Sequence, residues 1–273
     1  MQQSETSALP NDGDARMRID ERGVAYLSLF RPKQHNALSI ELIRDLRARV
    51  DTLAADGDVL VVVLTGEGKS FCAGGDLKWM KSMASATRER RIAESGELAA
   101  LLGALDQLPK PVIARVNGSA YGGGLGLIAC CDVSVAASTA RFAFTEVTLG
   151  LVPANIAPYV VRQIGPGHSR RLMLSGRRFD AGEALAIGLV DRVAVPDDLD
   201  SAVEEEVQQF LRCAPGAVAA TKRLIAHVAD APPEASAAHA AETLADAWER
   251  AEAGEGIAWF LEKRTPSWQK PDA

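Results

Sequence analysis

Two hydrophobic rhythms alternate along the chain, and each predicts its own kind of element. Arg16 to Asp20 and Val24 to Leu29 are strand-like, with Glu21-Arg22-Gly23 as the turn of a hairpin. Behind Ser39, a hydroxyl suited to an N-cap, Ile40, Ile43, Leu46, Val50 and Leu53 recur at helical spacing until Asp56-Gly57 stops them. Val59-Leu60-Val61-Val62-Val63-Leu64 is continuous and β-branched, the pattern of a strand covered on both faces. Pro111 to Val116 is a second such strand, and the polar helical segment Thr87 to Leu108 between them predicts strand, crossover helix, strand. After the glycine cluster at 122–124 come a short apolar helix, Leu125 to Cys131, and a strand, Val133 to Ala136.

Beyond Pro196 the pattern changes to alanine-rich helices: Asp198 to Cys213, Pro215 to Ala229, Glu234 to Ala253, and a last one around Ile257 to Lys263. The expected organisation is a disordered polar tail over 1–15, a βα core over 16–195, and a helical C-terminal region over 196–273. Taken alone, the strand-helix-strand order suggests a doubly wound sheet.

Composition narrows the function classes. With 273 residues, 47% of them hydrophobic, the chain can bury a large core, and its net charge of −6 argues against nucleic acid or an anionic membrane as partner. No apolar run is long enough to span a bilayer, since Asp132 cuts Ile128 to Val135. Met1 to Arg16 lacks the apolar centre of a signal peptide and the arginine-rich helix of a transit peptide, so a cytoplasmic location is expected. Cys72, Cys130, Cys131 and Cys213 sit in apolar or helical contexts and are expected to be buried thiols. His35, His168, His227 and His239 are scattered without ligand spacing, so no metal site is expected. Ser119 and Ser175 lack the context of a nucleophile elbow.

Two glycine-containing loops, Thr65 to Leu77 and Val116 to Gly124, each follow a buried strand and precede a helix. Loops at the carboxyl ends of strands can converge on one crevice, where small residues expose backbone amides to a ligand. Such amides stabilise developing negative charge. Gly122 to Gly126 does not match a dinucleotide-binding fingerprint, which leaves an amide-lined site or plain tight turns.

Three segments in this order and spacing, Ser70-Phe71-Cys72-Ala73-Gly74-Gly75-Asp76-Leu77, Val116 to Leu127 and Phe142 to Pro153, resemble the successive motifs of the crotonase (enoyl-CoA hydratase/isomerase) superfamily. Arg31-Pro32-Lys33-Gln34-His35-Asn36-Ala37-Leu38 fits as well, so the resemblance covers residues 16 to 265. It implies an α/β crotonase spiral of repeated ββα units, two roughly perpendicular sheets flanked by helices, with the C-terminal helices building a homotrimer or hexamer. It further implies an acyl-CoA thioester substrate, with coenzyme A part of the substrate and no separate cofactor.

Carried over by resemblance, the amides of Ala73 and Gly123 form an oxyanion hole, which would stabilise the charge a thioester carbonyl gains on becoming enolate-like. Lys33, Ala37, Gly75, Asp76 and Leu77 become the rim that receives CoA, and Phe260 and Lys263 approach the CoA of a neighbouring subunit. Glu146 becomes the acid/base; among Phe144 and Val147 its carboxyl is expected to titrate high. Family members usually carry a second glutamate two residues after the glycine triplet, where this chain has Gly126. The run Leu151 to Val161 resembles members that hydrate branched glutaconyl-CoA thioesters, methylglutaconyl-CoA or isohexenylglutaconyl-CoA. Asn155, Tyr121 or Arg162 could meet the distal carboxylate of such substrates. Three functions are therefore weighed: a 2-enoyl-CoA hydratase, a Δ3,Δ2-enoyl-CoA isomerase using Glu146 alone, and a non-catalytic acyl-CoA- or RNA-binding relative.

Overall fold

A hairpin opens the chain, which the computed structural model describes over residues 13–229 and 231–269. β1 (Ala15–Ile19) and β2 (Val24–Leu29) pair antiparallel, and Gly23 turns between them at φ +86°. The tail expected over 1–15 lies outside the described residues up to position 12; Ala15 already belongs to β1 and is fully buried. α1 (Ile40–Ala55) begins as expected, with the Ser39 hydroxyl accepting the Leu42 N–H at 3.2 Å.

Three strand-strand-helix turns follow. β3 (Val61–Gly66) and β4 (Ser70–Cys72) lead into α2 (Leu77–Ala84) and α3 (Arg88–Asp106). β5 (Val112–Val116) and β6 (Ser119–Tyr121) lead into α4 (Gly123–Ala129). β7 (Val133–Ala137) and β8 (Arg141–Ala143) pass through a 3₁₀ turn, Glu146–Leu149, into α5 (Ala157–Met173). β9 (Phe179–Asp180), α6 (Ala181–Ala186) and β10 (Arg192–Ala194) complete the set.

The first strand of each turn joins a six-stranded sheet, in the order β1-β2-β3-β5-β7-β10, and the second joins a four-stranded sheet, β4-β6-β8-β9. This is the α/β spiral of ββα units, and it replaces the doubly wound sheet that the strand-helix order alone suggests. The first strand is long and buried, whereas the second is only three residues long in each turn and sits inside what the sequence presents as a loop.

The larger sheet is covered on both faces, which explains its continuous apolar strands. Val62 and Leu64 join the main core with α1 and α3, while their neighbours Val61 and Val63 face the opposite way onto α7 (Leu199–Leu211). Leu199, Ala202, Val203 and Val207 of α7 are buried against those strands. α7 is therefore a layer of the core, although a boundary at 196 would assign it to the C-terminal region.

The remaining helices are α8 (Pro215–Val228), α9 (Pro233–Trp248) and α10 (Ala251–Glu262). A single helix expected over Glu234 to Ala253 is instead broken at Glu249 and Arg250. The break places Glu252 where its carboxylate accepts the Gly216 and Ala217 N–H groups at 2.9 and 3.1 Å, capping α8, while Arg250 donates to the Gly216 carbonyl at 2.8 Å. Lys222 of α8 pairs with Asp132 at 2.7 Å and ties this region to the sheet. Leu244, Trp248, Ile257, Phe260 and Leu261 remain exposed on α9 and α10.

Of the four cysteines, Cys72 and Cys130 are buried and Cys131 is half-buried. Cys213 departs from expectation: it lies just past the end of α7 and is exposed. No described helix is long and apolar enough to cross a membrane.

Candidate active site

The two glycine-bearing loops meet backbone to backbone. A Cβ on Gly124 would stand 2.8 Å from the Cys72 carbonyl oxygen, and one on Gly74 3.0 Å from that of Tyr121, so only glycine lets the loops approach this closely. Asn36 locks the preceding segment against them: fully buried, it donates to the Glu67 and Ser70 carbonyls at 2.9 and 2.8 Å and accepts the Arg31 N–H at 2.9 Å. Sequence reasoning assigned Asn36 no individual role, and only its place inside the Arg31–Leu38 motif hinted at one.

This packing decides which amides are free. Leu38 donates its N–H to the Gly74 carbonyl at 2.7 Å and accepts the Asp76 N–H at 3.0 Å, one rung of parallel pairing centred on Gly75. In such a rung the N–H of the central residue points away from the neighbouring strand. Among the described residues, no acceptor takes the Gly75 N–H.

Ala73 corrects the sequence expectation. Its N–H is spent on the His35 carbonyl at 2.9 Å, so it offers no donor to a ligand. The amide left free beside it belongs to Gly75, two residues on, which the sequence had placed only on the rim. Across from it, Gly123 is the first residue of α4, and the N–H at that position has no intrahelical acceptor. Where the two loops meet, the Gly75 amide of one and the Gly123 amide of the other are both left without an acceptor among the described residues.

Glu146 lies beside them. Its Oε1 is 2.9 Å from where a Cβ on Gly122 would stand, next to the Gly123 amide. It opens the 3₁₀ turn after β8, so the short second sheet that delivers Gly122 also delivers the carboxylate. The Glu146 Oε2 is buried with no hydrogen-bond partner among the described residues. Burial pushes its carboxyl above the usual glutamate range, only partly offset by its own backbone N–H. A high-titrating carboxylate with one buried, unpaired oxygen beside free amides is equipped for proton transfer at a carbon or oxygen held there.

The wall around α4 is otherwise apolar. Leu38 and Leu98 stand nearest to Gly123, and Ile156 and Leu102 nearest to Gly126. Asn155 is half-buried, its amide donating to the Ser95 carbonyl and hydroxyl at 3.2 and 2.9 Å.

Other expected site residues have structural occupations. Asp76 caps α2 by accepting the Lys78 and Trp79 N–H groups at 2.8 and 3.1 Å, and it pairs with Arg31 at 3.0 Å. Ala37 is buried and its carbonyl accepts from Arg31 at 2.6 Å. Both groups are thus engaged within the fold, the Ala37 carbonyl keeping a second lone pair. Arg162, a candidate for a distal carboxylate, is paired with Asp106. Lys33 is exposed on a 3₁₀ turn, Pro32–Gln34, and Leu77 is 80% exposed at the start of α2, both open to a rim role. Tyr121 is half-buried, with the Arg178 guanidinium 5.9 Å from its ring. Phe260 and Lys263 sit at the end of α10, with the Lys263 ammonium 5.6 Å from the Phe260 ring, and no described contact brings them to the loops.

With this geometry in place, residues 20–271 match the family model described as Enoyl-CoA hydratase/isomerase. The chain belongs to this family. The short-chain-enoyl-CoA hydratase of Clostridium acetobutylicum is 33% identical over 246 residues, covering 89% of this chain and 93% of that protein. The crystal structure of an enoyl-CoA hydratase from Shewanella pealeana is 36% identical with a TM-score of 0.90, covering 93% of this chain and 96% of that one. The structure of Pseudomonas aeruginosa AtuE is 38% identical, also with a TM-score of 0.90, and covers 94% of this chain and all of that one. An acyl-CoA substrate is consistent with family membership.

Proposed function

We propose that the protein adds water to the double bond of a 2-enoyl-CoA, with the Gly75 and Gly123 amides as its oxyanion hole and Glu146 as its single acid/base. One observation carries this reading: a buried, unpartnered carboxylate oxygen of Glu146 stands beside two loops whose Gly75 and Gly123 amides take no acceptor among the described residues.

In this mechanism the thioester carbonyl oxygen accepts both N–H groups. Ionised Glu146 takes a proton from water as the oxygen adds to C3, and the electron pair of the double bond moves to C2 and the carbonyl oxygen. The amides stabilise the resulting enolate, and Glu146 returns the proton to C2, so one residue acts as base and then as acid. The donor nearest CoA is reassigned from Ala73 to Gly75, while Lys33 and Leu77 remain rim candidates for the nucleotide end. No group beyond the substrate's own coenzyme A is needed.

The acyl group we favour is a branched glutaconyl chain, methylglutaconyl or isohexenylglutaconyl, supported by the resemblance of the Leu151 to Val161 run. The exposed apolar residues of α9 and α10 support assembly through the C-terminal helices as a trimer or hexamer, in which Phe260 and Lys263 would reach a neighbour's CoA. The acidic chain, with no helix among the described residues long and apolar enough to cross a membrane, suits the cytoplasm.

Δ3,Δ2-isomerisation is the second reading, favoured by Gly126, because moving a proton between two carbons needs only one carboxylate. Mass spectrometry of a panel holding methylglutaconyl-CoA, crotonyl-CoA and a 3-enoyl-CoA separates the two. Gain of one water mass on the glutaconyl thioester is expected; a rearranged 3-enoyl-CoA of unchanged mass with no hydration anywhere would transfer the assignment to the isomerase.

A further inference from the structure

Water addition usually calls on two polar groups at the water, and position 126 offers none. The space its side chain would use is filled by Ile156, whose Cγ2 lies 2.3 Å from where a Cβ on residue 126 would stand. The polar group nearest in sequence to that plug is the next residue back, Asn155.

Three observations place Asn155 on the reacting wall. Ser95, Leu98 and Leu102 occupy α3 at helical spacing, on one stripe. Leu98 lies 4.0 Å from where a Cβ on Gly123 would stand and Leu102 3.5 Å from one on Gly126, so the stripe looks onto α4. Asn155 is bound to Ser95 on that stripe through both of its amide contacts, at 3.2 and 2.9 Å, and the Ser95 hydroxyl lies 3.3 Å from Asn155 Oδ1. Asn155 and Ser95 form a neutral polar pair in a wall otherwise built from Leu38, Leu98, Leu102 and Ile156.

We infer that the Asn155–Ser95 pair holds the water that adds to C3, taking over the polar contact that residue 126 cannot make. The inference rests on the hydratase reading above. Its chemistry follows from the pair's neutrality. A carboxylate or phosphate would call for a cation here, and Arg162, the nearby guanidinium on α5, is committed to Asp106. The adding water gives one proton to Glu146 and needs an acceptor for the other. The pair's N–H and O–H groups are used between its own two residues, but Asn155 Oδ1 and the Ser95 hydroxyl oxygen each keep a lone pair for it. Glu146 lies against Gly122, at the start of α4, and Ile156, the neighbour of Asn155, against Gly126, four residues further along, so the water would be held between the proton acceptor and a fixed amide.

Two reactions of the same site separate this role from a structural one. Hydration of a 2-enoyl-CoA needs a positioned water; exchange of the C2 proton of a saturated acyl-CoA in D₂O needs only the oxyanion hole and Glu146. For Asn155→Ala, hydration kcat is expected to fall about 100-fold, the cost of a misplaced reactant, while C2 exchange stays within about threefold of the wild type. Ser95→Ala should lower hydration about tenfold, again sparing exchange. Equal losses in both reactions would overturn the inference, because they would make Asn155 a tether for the Glu146 segment; so would hydration left unchanged. The wild type tests the underlying reading separately: exchange without hydration of any 2-enoyl-CoA would remove the hydratase assignment itself.

Discussion

The Ile156 side chain occupies the place of a residue-126 side chain, with its Cγ2 2.3 Å from an ideal Cβ there. The single-carboxylate character of the site is therefore built into the packing as well as the sequence. A glutamate cannot be restored at position 126 without moving an apolar residue that is 2% exposed.

It follows that Gly126→Glu alone should be destabilising by about 1–3 kcal/mol from overpacking. Ile156→Ala alone should cost about 2–5 kcal/mol through the cavity it leaves. Combined, the two should cost less than their sum by about 1 kcal/mol or more, as expected for residues that share one space. Urea unfolding of the four proteins measures this coupling, and strict additivity would show that the two positions do not compete.

The two amides of the first loop can be told apart by replacing single backbone N–H groups with ester oxygens. An ester at Gly75 should lower kcat by 10²–10³, the typical cost of one lost oxyanion donor, with KM little changed. An ester at Ala73 removes an internal hydrogen bond to His35, worth about 1 kcal/mol, and should appear in thermal unfolding instead. The reverse pattern would return the oxyanion role to Ala73.

Glu146 sets the pH dependence. Because burial raises its pKa and it must be ionised to take a proton from water, kcat/KM should rise with pH through a value above that of an ordinary glutamate. Glu146→Gln should abolish turnover to within the 10²–10⁴-fold range of lost acid–base catalysis, and any residual activity should lack this acid limb. An acid limb surviving in that variant would assign it to a different group.

Asp76 links pH to stability in the opposite sense. Burial alone would raise its carboxyl, but hydrogen bonds from the Trp79 N–H, Arg31 and the Lys78 N–H outweigh it and hold the pKa below the usual range. Its stabilisation is thus fully present above the unfolded-state value and is lost as pH falls through the folded-state value. Asp76→Asn should cost about 1–2 kcal/mol near pH 7, with the deficit shrinking in acid. A deficit independent of pH would assign the effect to packing alone.

The first strand of each ββα turn was legible from its residues because it carries a continuous apolar signal over five or six positions. The second strand was not: Ser70–Cys72, Ser119–Tyr121 and Arg141–Ala143 are each three residues long, too short for an alternation to declare itself. Family resemblance supplied the two-sheet spiral where periodicity could not. Within the site, motif matching singled out the loops and Glu146 but named Ala73, whose amide is bonded to His35, where the amide left free is that of Gly75. Which amide in a glycine-rich turn stays free depends on the Leu38 rung, a contact made from 37 residues away. The break between α9 and α10 was hidden for a similar reason, since Glu249 and Arg250 carry no turn chemistry and the helix ends there because Glu252 and Arg250 are claimed by the start of α8.

The rung between Leu38 and Gly75 fixes the free Gly75 amide from the upstream side, through a segment anchored by buried Asn36. α2, which begins two residues later, contains no buried residue. The aim of this hydrogen-bond donor is therefore set by what comes before it in the chain, and the helix that follows can change its sequence without disturbing that aim.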